Sequence, residues 1–184
     1  MITGFEMFYR LILAVILGGL VGLEREAHRR AAGLRTHILV CIGSTLIMMT
    51  SMHIFDIYQG KTNLDPARIA AQVVSGIGFL GAGTIIRYRA SIRGLTTAAS
   101  LWVVAGIGLA VGCGFIPGAI WTTIFSLTTL FFLRKVEMPF LERGGHRALI
   151  IEVEDSIKAM GKIRHTLNKY NARVKSMRVT KSVG

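Results

Sequence analysis

Eighteen consecutive uncharged residues, Ile69 to Ile86, lie between Arg68 and Arg87 and read IAAQVVSGIGFLGAGTII. As a helix rising about 1.5 Å per residue they reach about 27 Å, close to the ~30 Å of a bilayer's hydrocarbon core. Four glycines fall inside the run. In a water-soluble helix each costs about 1 kcal/mol relative to alanine, whereas in lipid a glycine lets neighbouring helix backbones approach closely. The run therefore predicts a membrane-spanning helix packed tightly against others.

The rest of the chain repeats the pattern. Hydrophobic residues make up 52% of it, yet the formal net charge is +12, and the mean hydropathy is +0.53. A membrane protein holds such properties together by keeping apolar and basic segments apart. The apolar blocks predict five spans, at about 8–23, 38–55, 69–86, 95–113 and 116–133. Gly112, Gly114, Pro117 and Gly118 supply the turn between the last two, with Pro117 in the first turn of the fifth helix. The fold class expected is an all-α polytopic membrane bundle.

Lysine and arginine in the loops set the expected topology. Arg25, Arg29, Arg30 and Arg35 follow the first span, Arg87, Arg89 and Arg93 the third, and Arg134-Lys135 the fifth. The opposite side holds only Lys61 and Arg68. By the positive-inside rule the N-terminus is outside and the C-terminus inside. A cleaved signal peptide at Met1–Leu23 fits less well: Glu6 and a lone Arg10 replace a basic start, and Gly-Leu-Glu-Arg lacks a small-residue cleavage site.

Several motifs compete for attention. Gly76-Ile-Gly78-Phe-Leu-Gly81 matches G-x-G-x-x-G, but lacks the strand before it and the acidic residue about 20 positions on that a dinucleotide site needs. Packing is the reading that fits. Small residues four apart, Ala14/Gly18/Gly22, Gly78/Ala82 and Gly106/Ala110, predict close helix pairs, within one bundle or in a dimer. Cys41 and Cys113 fall at opposite membrane depths, too far apart for a disulfide, and are read as small apolar fillers. No Cys/His cluster has metal-ligand spacing, so neither metal nor cofactor is expected.

Polar groups inside the spans are few. Ser75, Thr84, Thr96, Thr97 and Ser100 can satisfy their hydroxyls on their own helices, whereas Gln72 is expected to face another helix. No acidic or basic residue lies mid-span. Mg2+ prefers oxygen ligands at 2.0–2.1 Å, and the carboxylates lie at the edges: Glu24 and Glu26 inside, Asp56 and Asp65 outside. Asp65-Pro66 reads as an N-cap and first helical residue. Glu24-Arg25, Gly33-Leu34-Arg35-Thr36 and Arg93-Gly94-Leu95-Thr96-Thr97 all sit at cytoplasmic span boundaries. They predict a charged, hydrogen-bonded cluster there; snorkelling to lipid headgroups is the plainer alternative.

The series GGLVGLER (Gly18–Arg25), AGLRT (Ala32–Thr36), RIAAQVVSGIGFLGAG (Arg68–Gly83) and RGLTTAASLW (Arg93–Trp102) resembles the MgtC/SapB family of bacterial inner-membrane proteins. The likeness runs in order over about residues 8–136, and Gly83, Gly94 and Trp102 belong to its motifs. It implies an inner-membrane location and adaptation to low Mg2+, acid or envelope stress. The family is often labelled a Mg2+ transporter, while its virulence-linked branch resembles a regulator of other membrane proteins. That branch has asparagine where this chain has Thr96, which points to the SapB-like branch instead.

After Glu137 the composition changes. A strand around Arg147–Val153, an amphipathic helix over Ser156–Tyr170 and a strand at Ala172–Thr180 are predicted. In the family this region resembles an ACT-like domain, of which the chain holds a βαβ half: a cytoplasmic tail over 137–184 following a membrane domain over 1–136. Two function classes follow. One is a non-catalytic regulator that binds another inner-membrane protein, with a homodimer as a further option; the other is a Mg2+ or other cation transporter or channel. An enzyme is not expected, since no nucleophile–base pair or metal set assembles, and no nucleic-acid module is present.

Overall fold

A computed structural model describes residues 2–60, 65–88, 91–142 and, in the tail, 161, 163 and 165–167. Five helices make up most of it: α1 (Gly4–Ala27), α2 (Leu34–Tyr58), α3 (Arg68–Thr84), α4 (Leu95–Cys113) and α5 (Ile116–Glu142). Three of them, α1, α2 and α4, are long and apolar enough to cross a membrane; α5 contributes a shorter apolar helix over Ile116–Phe132. The chain divides into two compact units, 1–142 and 143–184.

Local chemistry explains the helix ends. Thr3 caps α1 by accepting from the Glu6 amide at 3.2 Å, with the acidic side chain in the first turn where the helix dipole favours it. Gly114 closes α4 in the left-handed region at φ +85. Its amide donates to Val111 O, and that of Phe115 to Ala110 O, so the final carbonyls are satisfied without further helix. Pro117 then lies in the first turn of α5, as expected.

The long uncharged run departs from expectation at its end. α3 stops at Thr84, and Ile85 turns into extended backbone. Ile86–Tyr88 (β1) and Ser91–Arg93 (β2) form an antiparallel hairpin, with Ile86 opposite Arg93 and Tyr88 opposite Ser91. Gly94 makes the return possible. It takes φ +93, and a Cβ there would run into the Thr84 carbonyl. At its other end α3 starts later than the Asp65-Pro66 cap predicts. Asp65 Oδ1 accepts from Ala67 N at 2.8 Å, so the carboxylate caps a turn ahead of α3.

The core is built on α2 and α4. Ala14, Leu17 and Val21 of α1, Cys41 of α2, Val104, Ile107 and Val111 of α4 and Ala119 of α5 form one buried cluster. Glycine sets the spacing. A Cβ at Gly18 would stand 2.7 Å from Cys41 Cβ, one at Gly22 2.8 Å from Leu34 Cα, and one at Gly112 2.6 Å from Thr45 O. The stripe in α1 therefore packs inside the bundle. In α4 the close face is Gly108/Gly112, not Gly106/Ala110: Gly106 has open space beside it. Gly78 is likewise open, so Gly78/Ala82 is not a contact within the bundle, and α3 meets α4 through Gly81 against Ala98.

Polarity runs opposite to that of a water-soluble protein. His37, Thr45, Ser51, Ser100 and Thr123 are buried, while Phe8, Phe79, Trp102, Trp121 and Phe125 lie outside, Phe79 being 84% exposed. Hydroxyls inside the bundle are satisfied on helix carbonyls, as at Thr45 to Cys41 O and Thr123 to Ala119 O. An apolar exterior of this extent suits lipid as its solvent. The predicted tail strands lie outside the described residues. The tail positions that are described are helical and fall within Ser156–Tyr170.

Candidate functional site

The last turn of α1, the start of α2 and the first turns of α4 meet in a buried charged cluster. Glu24 is 4% exposed and Arg25 3%. Because α1 continues to Ala27, both lie inside the helix and under its neighbours. Glu24 Oε2 accepts from the Arg25 guanidinium through Nε and Nη2. One helical turn on, His28 Nδ1 lies 2.8 Å from the Glu24 carbonyl and 2.9 Å from Glu24 Oε1. The carbonyl is the aligned acceptor, which leaves Glu24 Oε1 and Arg25 Nη1 buried with no hydrogen-bond partner. The ring of His28 also meets Phe131 of α5 edge-on at 6.4 Å.

His37 joins this pair to α4. It is fully buried, and its Nδ1 donates to the Gly33 carbonyl at 2.8 Å. Its Nε2 lies 3.1 Å from Ser100 Oγ, and Ser100 Oγ lies 2.8 Å from Thr97 O. Ser100 has a single hydroxyl proton. If that proton goes to Thr97 O, the ring must donate from both nitrogens and is an imidazolium. If the ring is neutral, the Ser100 proton turns to Nε2 and leaves the Thr97 carbonyl. Glu26 closes the loop between α1 and α2 by accepting from Leu34 N at 2.8 Å.

A second charged layer lies at the other end of α1. Arg10, 8% exposed, pairs with Glu6 and donates from Nη1 to Gly112 O at 2.5 Å. It places a cation on the C-terminal carbonyls of α4, where the helix dipole favours it. Fourteen residues separate Arg10 from Glu24, about 21 Å of helix.

The predicted site residues separate into three groups. Glu24, Arg25, Gly33, Leu34 and Thr97 come together around His37, and Gly81 and Gly94 serve packing and turning. Arg35, Thr36, Arg68, Gln72, Gly76, Gly78, Gly83, Arg93, Thr96 and Trp102 are exposed. Gln72 thus does not face a helix of its own bundle: α3 buries only Ala70, Ile77 and Gly81, and Gln72 lies on the open side. Cys41 fills a buried gap as predicted, whereas Cys113 is exposed. His28 and His37 were not expected in the cluster, nor Arg10 in the second charged layer. Glu24-x-x-x-His28 at one-turn spacing was the available signal; for His37 and Ser100, 63 positions apart, there was none. Among the described residues no group of three or more His, Cys, Asp or Glu side chains is placed to hold a metal ion.

Residues 11–138 match the profile of the MgtC family. The chain belongs to the MgtC family. It is 41% identical over 148 residues to the "Putative magnesium transporter YhiD" of Escherichia coli (strain K12), covering 79% of this chain and 69% of that one. It is 41% identical over 152 residues to Protein MgtC of Salmonella typhimurium (strain LT2), covering 79% and 62%. With Protein MgtC of Salmonella typhi it shares 46% over 132 residues, covering 71% and 54%. The chain thus spans less than two thirds of these MgtC relatives. No solved structure matches it. The MgtC family match covers most of the helical unit, including every residue of the cluster around His37 but not Glu6 or Arg10.

Proposed function

We propose that this MgtC-family chain is a non-catalytic regulator of another bacterial inner-membrane protein in adaptation to low Mg2+, acid or envelope stress. In this reading five helices cross the bilayer with the N-terminus outside and the C-terminus in the cytoplasm. The basic loops at Arg29–Arg30 and at the hairpin support that orientation. Thr96 supports the SapB-like branch over the virulence branch.

The observation that carries the regulatory reading is the open side of α3. Gly78 and Gly83 each have empty space where a Cβ would sit. They share a helix with exposed Gln72 and Phe79. Glycine disfavours a helix unless a backbone comes close to it, and no helix of this bundle does so at these two positions. A helix of a partner protein supplies what is missing. A photocrosslinker at Gly78 in native membranes is expected to capture one membrane protein reproducibly. Scattered lipid-only adducts would remove the basis of the reading.

The second reading, a Mg2+ or other cation transporter, is favoured by the name of the YhiD relative, "Putative magnesium transporter YhiD". Against it stands the occupation of charge by internal pairing, Glu24 with Arg25 and Glu6 with Arg10. Proteoliposomes holding the full chain and a Mg2+-sensitive dye separate the two. Flux no faster than in empty vesicles is expected; saturable flux abolished by Glu24→Gln would establish transport instead.

A further inference from the structure

Between α2 and α3 runs a groove of about 510 Å3 whose lining is apolar apart from Ser44 and the Arg35–Thr36 end. Along α2 it follows Arg35, Leu39, Gly43 and Ile47, a row with one residue per turn, and on α3 it meets Gly76 and Leu80. The row from Arg35 to Ile47 covers twelve residues, about 18 Å of helix, little more than the ~15 Å depth of one leaflet's hydrocarbon. Spread over that length, 510 Å3 gives a mean cross-section of about 28 Å2, wide enough for an extended acyl chain.

Charge marks one end. Arg35 is exposed at the start of α2, has no carboxylate paired with it among the described residues, and lines the groove's mouth together with Thr36. Ser44, further in, already donates to Val40 O at 2.8 Å and offers nothing to a polar group. Gly43 and Gly76 keep the channel open, since a Cβ at either meets nothing within 4 Å. An open apolar groove about one leaflet long, with a guanidinium at its rim, fits an anionic amphiphile. We infer that the α2–α3 groove is a binding site for one anionic phospholipid, its acyl chain along Leu39–Ile47 and its phosphate on Arg35. The site needs only a lipid environment and is independent of whether the protein regulates or transports.

Native mass spectrometry of the full chain tests this after equilibration with vesicles of phosphatidylcholine and phosphatidylglycerol in equal amounts. One phosphatidylglycerol is expected to stay bound per chain, preferred over phosphatidylcholine by ~5-fold, the contribution of one arginine near an anionic headgroup. Arg35→Gln should abolish the preference while Arg35→Lys keeps most of it. Gly43→Leu, which fills open space, should expel both lipids with helicity and melting unchanged. Inorganic phosphate should not compete, because the acyl chain supplies much of the binding. Equal retention of the two lipids, or none, overturns the assignment. So does a wild-type dimer that Gly43→Leu converts to monomer, since a second copy would then occupy the face.

Discussion

Gly18 and Cys41 face each other so closely that a Cβ on the glycine would stand 2.7 Å from the Cys41 Cβ. On its other side Cys41 turns its backbone towards Gly108 of α4. One small residue on α2 is thus held between a glycine of α1 and a glycine of α4. The three helix backbones approach because none of these positions carries a large side chain.

Gly108→Ala should therefore cost about 1–3 kcal/mol, since the new methyl meets the Cys41 carbonyl and cannot move it. Gly106→Ala, two positions away with open space, should instead gain about 1 kcal/mol from helix propensity. Thermal unfolding in detergent reads both. Equal and opposite shifts to these would mean that the other face of α4 is the buried one.

Glu24 and Arg25 are expected to behave as a unit. Glu24→Gln leaves a buried guanidinium uncompensated and should cost about 3–5 kcal/mol, as should Arg25→Met for the carboxylate. The double variant should recover much of that loss, because the two unpaired charges disappear together. A double-mutant cycle in detergent measures the coupling. Simple additivity would contradict the pairing.

Arg10→Leu removes the cation from the end of α4 and leaves Gly112 O without its donor. A loss of about 1–3 kcal/mol follows from one charge-assisted hydrogen bond. Arg10→Lys should restore part of it. Hydrogen exchange should localise the change to the last turn of α4; a uniform change across all helices would argue against capping.

Gly94→Ala combines a left-handed backbone, φ +93, with a clash on the Thr84 carbonyl. The conformational part alone costs about 1–2 kcal/mol, and the clash adds to it. The hairpin should open and become the first site cut by added protease. Gly78→Ala in the same experiment should leave the cleavage pattern of the bundle unchanged.

Composition and spacing made much of this legible. The five helices follow the apolar blocks, because a block one bilayer long must satisfy its backbone internally and so becomes a helix. Of the boundary residues at the span ends, Glu24, Arg25, Gly33 and Thr97 come together, while Arg35, Thr36, Arg93 and Thr96 are exposed. The glycine pattern was readable as close packing, but not which glycines pack. Gly18 and Gly22 do, while Gly78 and Gly106 do not, since small-xxx-small spacing is equally present on a buried and an open face.

What the residues alone determined is the order of apolar and basic segments, hence a membrane protein of this family with charge kept at the helix ends. Only the tertiary structure decided that Glu24 and Arg25 lie buried, that His37 meets Ser100 across 63 positions, and that one side of α3 stays open. The reason is physical: hydropathy and spacing act along one helix. Which face is covered depends on how neighbouring helices cross, and that is settled by contacts distant in sequence.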